Sequence, residues 1–149
     1  KNKYNIIFVA ENIYSEVKNY KLAKKVLSIL PEKFILHPVT GKNQDELVYF
    51  YNSADLLLLT SLSEGSPNVI KEAMACNCPI VSTDVGDVRQ VIENTDNCFI
   101  SNPFPKDIAD KIIETTLIGK RTNGRKNIKY LDSKVIAKKI ATIYKEISK

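Results

Sequence analysis

Histidine, cysteine and glycine are scarce in this 149-residue sequence: one histidine, three cysteines and five glycines. Each scarcity excludes something. An odd cysteine count argues against a disulfide framework and fits a reducing compartment. Cys76 and Cys78 have a single residue between them and no second ligand pair, which does not match zinc spacing. The lone His37 is read as a packed or loop histidine rather than a catalyst. The turn after the first apolar run, Ala10-Glu11-Asn12-Ile13-Tyr14, holds no glycine, so the dinucleotide-binding fingerprint is missing. No Gly-Lys-Ser/Thr occurs either, which excludes a phosphate loop. Apolar runs such as those at 6–10 and 56–59 fall far short of the roughly 18–20 residues that span a bilayer. The first residues, Lys-Asn-Lys-Tyr-Asn, show no signal-peptide pattern. They include no initiator Met and lead almost directly into a strand, as expected of a fragment of a longer protein.

What is there reads as one ordinary domain: 44% apolar and 26% charged residues, which excludes a disordered or fibrous chain. The net charge of +5 is unevenly spread. Residues 1–119 carry 12 basic and 15 acidic side chains, and residues 120–149 carry 10 basic and 2 acidic. The body is thus mildly acidic and the basic excess belongs to the tail. Nucleic-acid proteins carry basic charge where their chemistry is, so nucleic acid is not an expected partner.

Short β-rich runs alternate with helical patterns. Strands are expected at about 5–10, 33–37 (stopped by Pro38), 55–60, 79–82 and 98–101, with a sixth allowed for. Helices are expected at about 19–30, 45–52 (capped by Asp45), 66–76, 88–93 and 107–117, followed by a closing amphipathic helix. The segment 119–127 is read as a joint between body and closing helices. The strand at 55–60 does not alternate, so both its faces are covered. The expected fold is α/β: a Rossmann-like, doubly wound parallel sheet of five to six strands with helices on both faces.

Such sheets bind ligands at the carboxyl ends of their strands. After Leu59 comes Thr-Ser-Leu-Ser-Glu-Gly-Ser-Pro-Asn-Val-Ile-Lys-Glu-Ala-Met-Ala. Gly65 is expected to ease the turn and the approach of a ligand. Ser66 is expected as N-cap with Pro67 at the first helical position. The amides of Ser66, Asn68 and Val69, with the helix dipole, then form an anion site. Glu64 precedes the helix and Glu72 lies inside it. A carboxylate accepts from two neighbouring hydroxyls at once, so an anion site between two carboxylates fits a nucleotide sugar.

The two glutamates with seven residues between them, Ala-Met-Ala, Pro-Ile-Val-Ser-Thr and Asp-Val-Gly resemble the retaining glycosyltransferases of family 4. The likeness is most specific over 54–86. It implies the donor-binding half of a GT-B fold across residues 1–149, with basic helices from about 120 and the acceptor domain lying outside these residues. It implies transfer of a hexose from a UDP- or GDP-type sugar to a glycan or lipid-linked acceptor, in polysaccharide biosynthesis, with no bound metal or further cofactor. Residue by residue, it implies Glu64 at the donor sugar in the catalytic position, without a nucleophile's role assigned, and Glu72 at the ribose. Lys18 meets the diphosphate, Gly65, Ser66, Asn68 and Val69 lie along sugar and phosphates, and Pro38, Val39 and Thr40 meet the base. The family's frequent arginine after the first strand is replaced here by Ala10-Glu11-Asn12, and its Gly-Gly by Gly86-Asp87. The alternative is a non-catalytic Rossmann-like binding module. In the closing helix, Lys134, Lys138, Lys139 and Lys145 are read as a solvated face or as attraction to an anionic membrane. The implied location is cytoplasmic, with peripheral contact at the inner membrane face as a further reading.

Overall fold

The computed structural model describes residues 3–147. Strands and helices alternate: β1 (Tyr4–Val9), α1 (Tyr20–Ile29), β2 (Phe34–Val39), α2 (Gln44–Ser53), β3 (Leu56–Leu59), α3 (Asn68–Ala75), β4 (Ile80–Thr83), α4 (Val88–Ile92), β5 (Cys98–Ser101) and α5 (Pro105–Ile118). Then follow α6 (Gly124–Asn127), a 3-10 turn (Lys129–Leu131) and α7 (Ser133–Ile147). Among the described residues the sheet has five strands in the order β2-β1-β3-β4-β5, all parallel. The chain winds outward from β1 to β2, then crosses back to β3, so the winding reverses between β1 and β3.

The pleat divides the core into two. Ile7, Val9, Leu57, Leu59 and Ile80 face α2, α3 and α4, where Tyr51, Ile70, Met74 and Val88 are buried. Ile6, Phe8, Leu56, Leu58 and Val81 face α1 and α5, meeting Ala23, Val26, Ile108 and Ile112. Successive strand residues go to opposite cores, which is why the run at 56–59 shows no polar alternation. The cysteines are free. Burial raises the Cys78 thiol to about 12 and that of Cys98 to about 11, so both stay protonated at neutral pH.

Two local expectations need correction. Pro38 does not stop the second strand, which runs to Val39. The Val39 carbonyl accepts from the Ala10 amide at 3.1 Å, so neighbouring Pro38 turns its nitrogen to the open edge of the sheet, where no donor is needed. Asn43, not Asp45, caps α2, in a capping box: its side chain accepts from the Glu46 amide while the Glu46 carboxylate accepts from the Asn43 amide. Residues 119–127 do join the body to the closing helices, and they are tied firmly to the body. Arg121 donates to the carbonyls of Ala54 (2.7 Å), Tyr51 (2.8 Å) and Cys76 (3.0 Å), at the ends of α2 and α3. Arg125 bonds the Ala75 carbonyl, and a Cβ on Gly124 would lie 2.8 Å from Met74 Cα. This segment clasps two helix C-termini, where carbonyls lack intrahelical partners and cations are favoured.

Candidate functional site

A cavity of about 650 Å³ opens at the carboxyl ends of β1 and β2 and at the start of α3. It lies at the reversal of winding, where doubly wound sheets bind ligands. Lys18, Glu64, Ser66, Asn68, Val69 and Glu72 all line it, as do Val39 and Thr40. Gly65 and Pro38 do not.

Lys18 is delivered by a loop pinned to the end of β3. Buried Thr60 donates to the carbonyls of Lys18 (3.2 Å) and Asn19 (3.0 Å), and the Leu62 amide donates to Val17 at 2.8 Å. Asn19 closes that loop in the left-handed conformation, which asparagine tolerates better than most side chains. Lys18 Nζ then stands 2.7 Å from Glu64 Oε1, in a pair only 26% and 15% exposed. Ser61 Oγ donates to the same oxygen at 2.8 Å. A half-buried charge needs such partners, and here they fix the carboxylate at the mouth of α3.

The start of α3 differs from expectation by one position. Pro67 is the N-cap, and α3 opens at Asn68. Ser66 does not cap: its hydroxyl donates to Asp87 and accepts from Lys71. Ile70 makes the first bond back to Pro67, at 3.3 Å, so the amides of Asn68 and Val69 stand ahead of the helical ladder. Those amides and the helix dipole suit an anion. Gly65 has no left-handed φ, and a side chain there would meet open space. The glycine that the geometry demands is Gly86, with φ +54° and a would-be Cβ 2.1 Å from the Gly65 carbonyl oxygen. The Asp87 amide donates to that carbonyl at 3.1 Å.

Glu72, on α3, is held from α2: Tyr51 hydroxyl donates to its Oε2 at 2.9 Å. Burial, with the charge of Glu72, pushes the Tyr51 pKa far above its ordinary value, so it remains a donor. Tyr51 and Ser61 are the residues that sequence reasoning missed. Tyr51 reads as a core residue, and nothing local marks its hydroxyl. His37 pairs with Asn5 Oδ1 at 3.0 Å and does not line the cavity. Among the described residues, no cluster of three or more His, Cys, Asp or Glu is arranged to hold a metal ion.

The family model for glycosyl transferases group 1 matches residues 12–116. The chain belongs to that family. Over 97 residues it is 32% identical to an uncharacterized glycosyltransferase of Methanocaldococcus jannaschii, covering 63% of this chain and 28% of that one. Over 84 residues it is 37% identical to N-acetyl-alpha-D-glucosaminyl L-malate synthase of Bacillus anthracis, covering 56% and 19%. The fold matches that of sucrose-phosphate synthase from Thermosynechococcus elongatus with a TM-score of 0.85 at 16% identity, over 98% of this chain and 46% of that one. The matched stretches thus span less than a third of these curated relatives and about half of the solved structure.

Proposed function

We propose that this chain is the donor-binding half of a retaining glycosyltransferase, moving a hexose from a UDP- or GDP-type sugar to a glycan or lipid-linked acceptor. One observation carries the reading: a single cavity brings the helix-start amides together with Lys18, Glu64 and Glu72. In this reading the amides of Asn68 and Val69 and the Lys18 ammonium meet the diphosphate. They stabilise the negative charge that gathers there as the sugar departs. Glu72 accepts from the ribose hydroxyls. Glu64, oriented by Lys18 and Ser61, accepts from the hexose hydroxyls beside the breaking bond. Val39 and Thr40 flank the base. Retention follows from reaction on the face that the leaving diphosphate occupies, where that group takes the acceptor's proton. No metal is called for in this scheme. The acceptor is held by a second domain, so this chain alone binds donor without efficient turnover. The reading sets the protein in the cytoplasm, with α7 toward the inner membrane face.

Ligand-observed NMR with a panel of UDP-, GDP- and ADP-sugars tests it. One class of donor is expected to bind, and Glu64→Gln and Glu72→Gln to weaken that binding by about tenfold each, as for loss of a charge-assisted hydrogen bond. Donor affinity unchanged in both variants would make the chain a binding module of another kind.

A further inference from the structure

For a diphosphate, the cavity is short of cations among its side chains. Its lining holds two cations, Lys18 and Lys42, against three carboxylates, Glu11, Glu64 and Glu72. Lys18, which the donor reading sets at the diphosphate, is shared with the half-buried Glu64 at 2.7 Å, so a second cation is wanted there. The other cation of the lining is Lys42, in the loop between β2 and α2. Lys42 Nζ is 2.9 Å from Glu46 Oε1, in a pair with side chains 39% and 43% exposed. Glu46 is not among the residues that line the cavity. Exposed pairs of this kind are worth little, whereas removing Lys18 from Glu64 would leave a half-buried carboxylate with only the Ser61 hydroxyl. Lys42 also follows Gly41, which has a left-handed φ of +62° and no heavy atom beyond its chain neighbours within 4 Å of where a Cβ would stand. The ion pair that yields at least cost is therefore the one at the cavity rim.

We propose that Lys42 is the cavity's exchangeable cation, leaving Glu46 to meet the phosphates of the bound nucleotide. It would thereby offset the excess of carboxylates that Glu11, Glu64 and Glu72 create. This inference rests on the donor-site reading above and adds to it a residue from outside the stretch 54–86.

The test compares UDP and GDP with uridine and guanosine, which carry no phosphate, by NMR titration of the full chain. Lys42→Ala is expected to weaken UDP or GDP by about tenfold, as for one charge-assisted contact, and to leave the nucleosides unchanged. Glu46→Gln keeps the capping box but frees the lysine, so affinity should hold or rise up to about threefold. Equal weakening by Lys42→Ala and Glu46→Gln would show that the ion pair only shapes the loop, and would overturn the proposal. So would Lys42→Ala without effect, or with equal loss for nucleosides, which would place the lysine at the base. If wild type binds neither diphosphate, or Glu72→Gln leaves their affinity intact, the donor-site reading itself fails and this inference falls with it. If Glu72→Gln weakens binding and Lys42→Ala does not, only the Lys42 assignment fails.

Discussion

Glu72 owes its position to a hydroxyl on another helix. Tyr51 is 1% exposed, and its ring belongs to the core beneath α2 and α3. Tyr51→Phe keeps the ring and removes only the bond to Glu72. The expected result is a stability loss of about 1 kcal/mol, the usual net worth of one hydrogen bond, seen as a lower urea midpoint. On the proposed donor-site reading, nucleotide-sugar affinity should fall about three- to tenfold as the carboxylate loses its orientation. A variant with wild-type affinity would make Tyr51 purely a packing residue. The contrast with Glu64 and Glu72 explains what a sequence reveals at this scale. Those two sit on one continuous stretch with a helix start between them, so their spacing alone places them near the same helix start. Tyr51 lies 21 residues from its partner and Lys18 lies 46 from Glu64, and only the packing of separate elements brings such pairs together. Ser66 shows the opposite failure. Ser before Pro is a good local cap signal, but Asp87 across the loop and Lys71 on α3 itself engage the hydroxyl instead.

The strands were legible at the scale of elements because each is a short apolar run between turn signals, and parallel burial follows from the missing alternation. The region 119–127 was not, since its polar, basic composition is that of a loop. Its bonds reach across 45 to 70 residues, which no local pattern records. Arg121 serves α2 and α3 together, so its loss leaves three carbonyls unanswered. Arg121→Ala should cost about 2–3 kcal/mol, measured by urea unfolding. Arg121→Lys should recover less than half of this, because an ammonium lacks the planar fork that reaches several acceptors. A lysine variant as stable as wild type would mean that charge alone, rather than geometry, holds the clasp.

On the scale of the whole molecule, the basic excess divides by use. Arg121 and Arg125 are committed to backbone carbonyls, whereas Lys134, Lys138, Lys139 and Lys145 lie on α7, none of whose 15 residues is buried. The same helix carries Val135, Ile140, Ile143 and Ile147, all exposed. Among the described residues no helix is long and apolar enough to cross a membrane. An amphipathic helix with a lysine-rich face can instead lie along an anionic surface. On that reading, vesicles rich in anionic lipid should co-sediment the chain and neutral vesicles should not. Lys138→Glu with Lys139→Glu should lower the bound fraction about tenfold or more, at about 1 kcal/mol per basic residue. Co-sedimentation indifferent to lipid charge would leave those lysines as a solvated face. The amphipathic pattern of α7 was plain in the sequence. What covers its apolar side is a matter of partners, which periodicity does not encode.

Gly86 has a consequence beyond the shape of one turn. Its α-carbon has no room for a methyl group because the Gly65 carbonyl occupies that space, and its neighbour Asp87 bonds both that carbonyl and Ser66. The loops after β3 and β4 therefore behave as one mutational unit: a change at 64–66 alters what 86–87 can be, and the reverse. Drift at one loop is tolerable only with compensation at the other, and a library that diversifies the first while holding the second fixed would sample mostly misfit pairs.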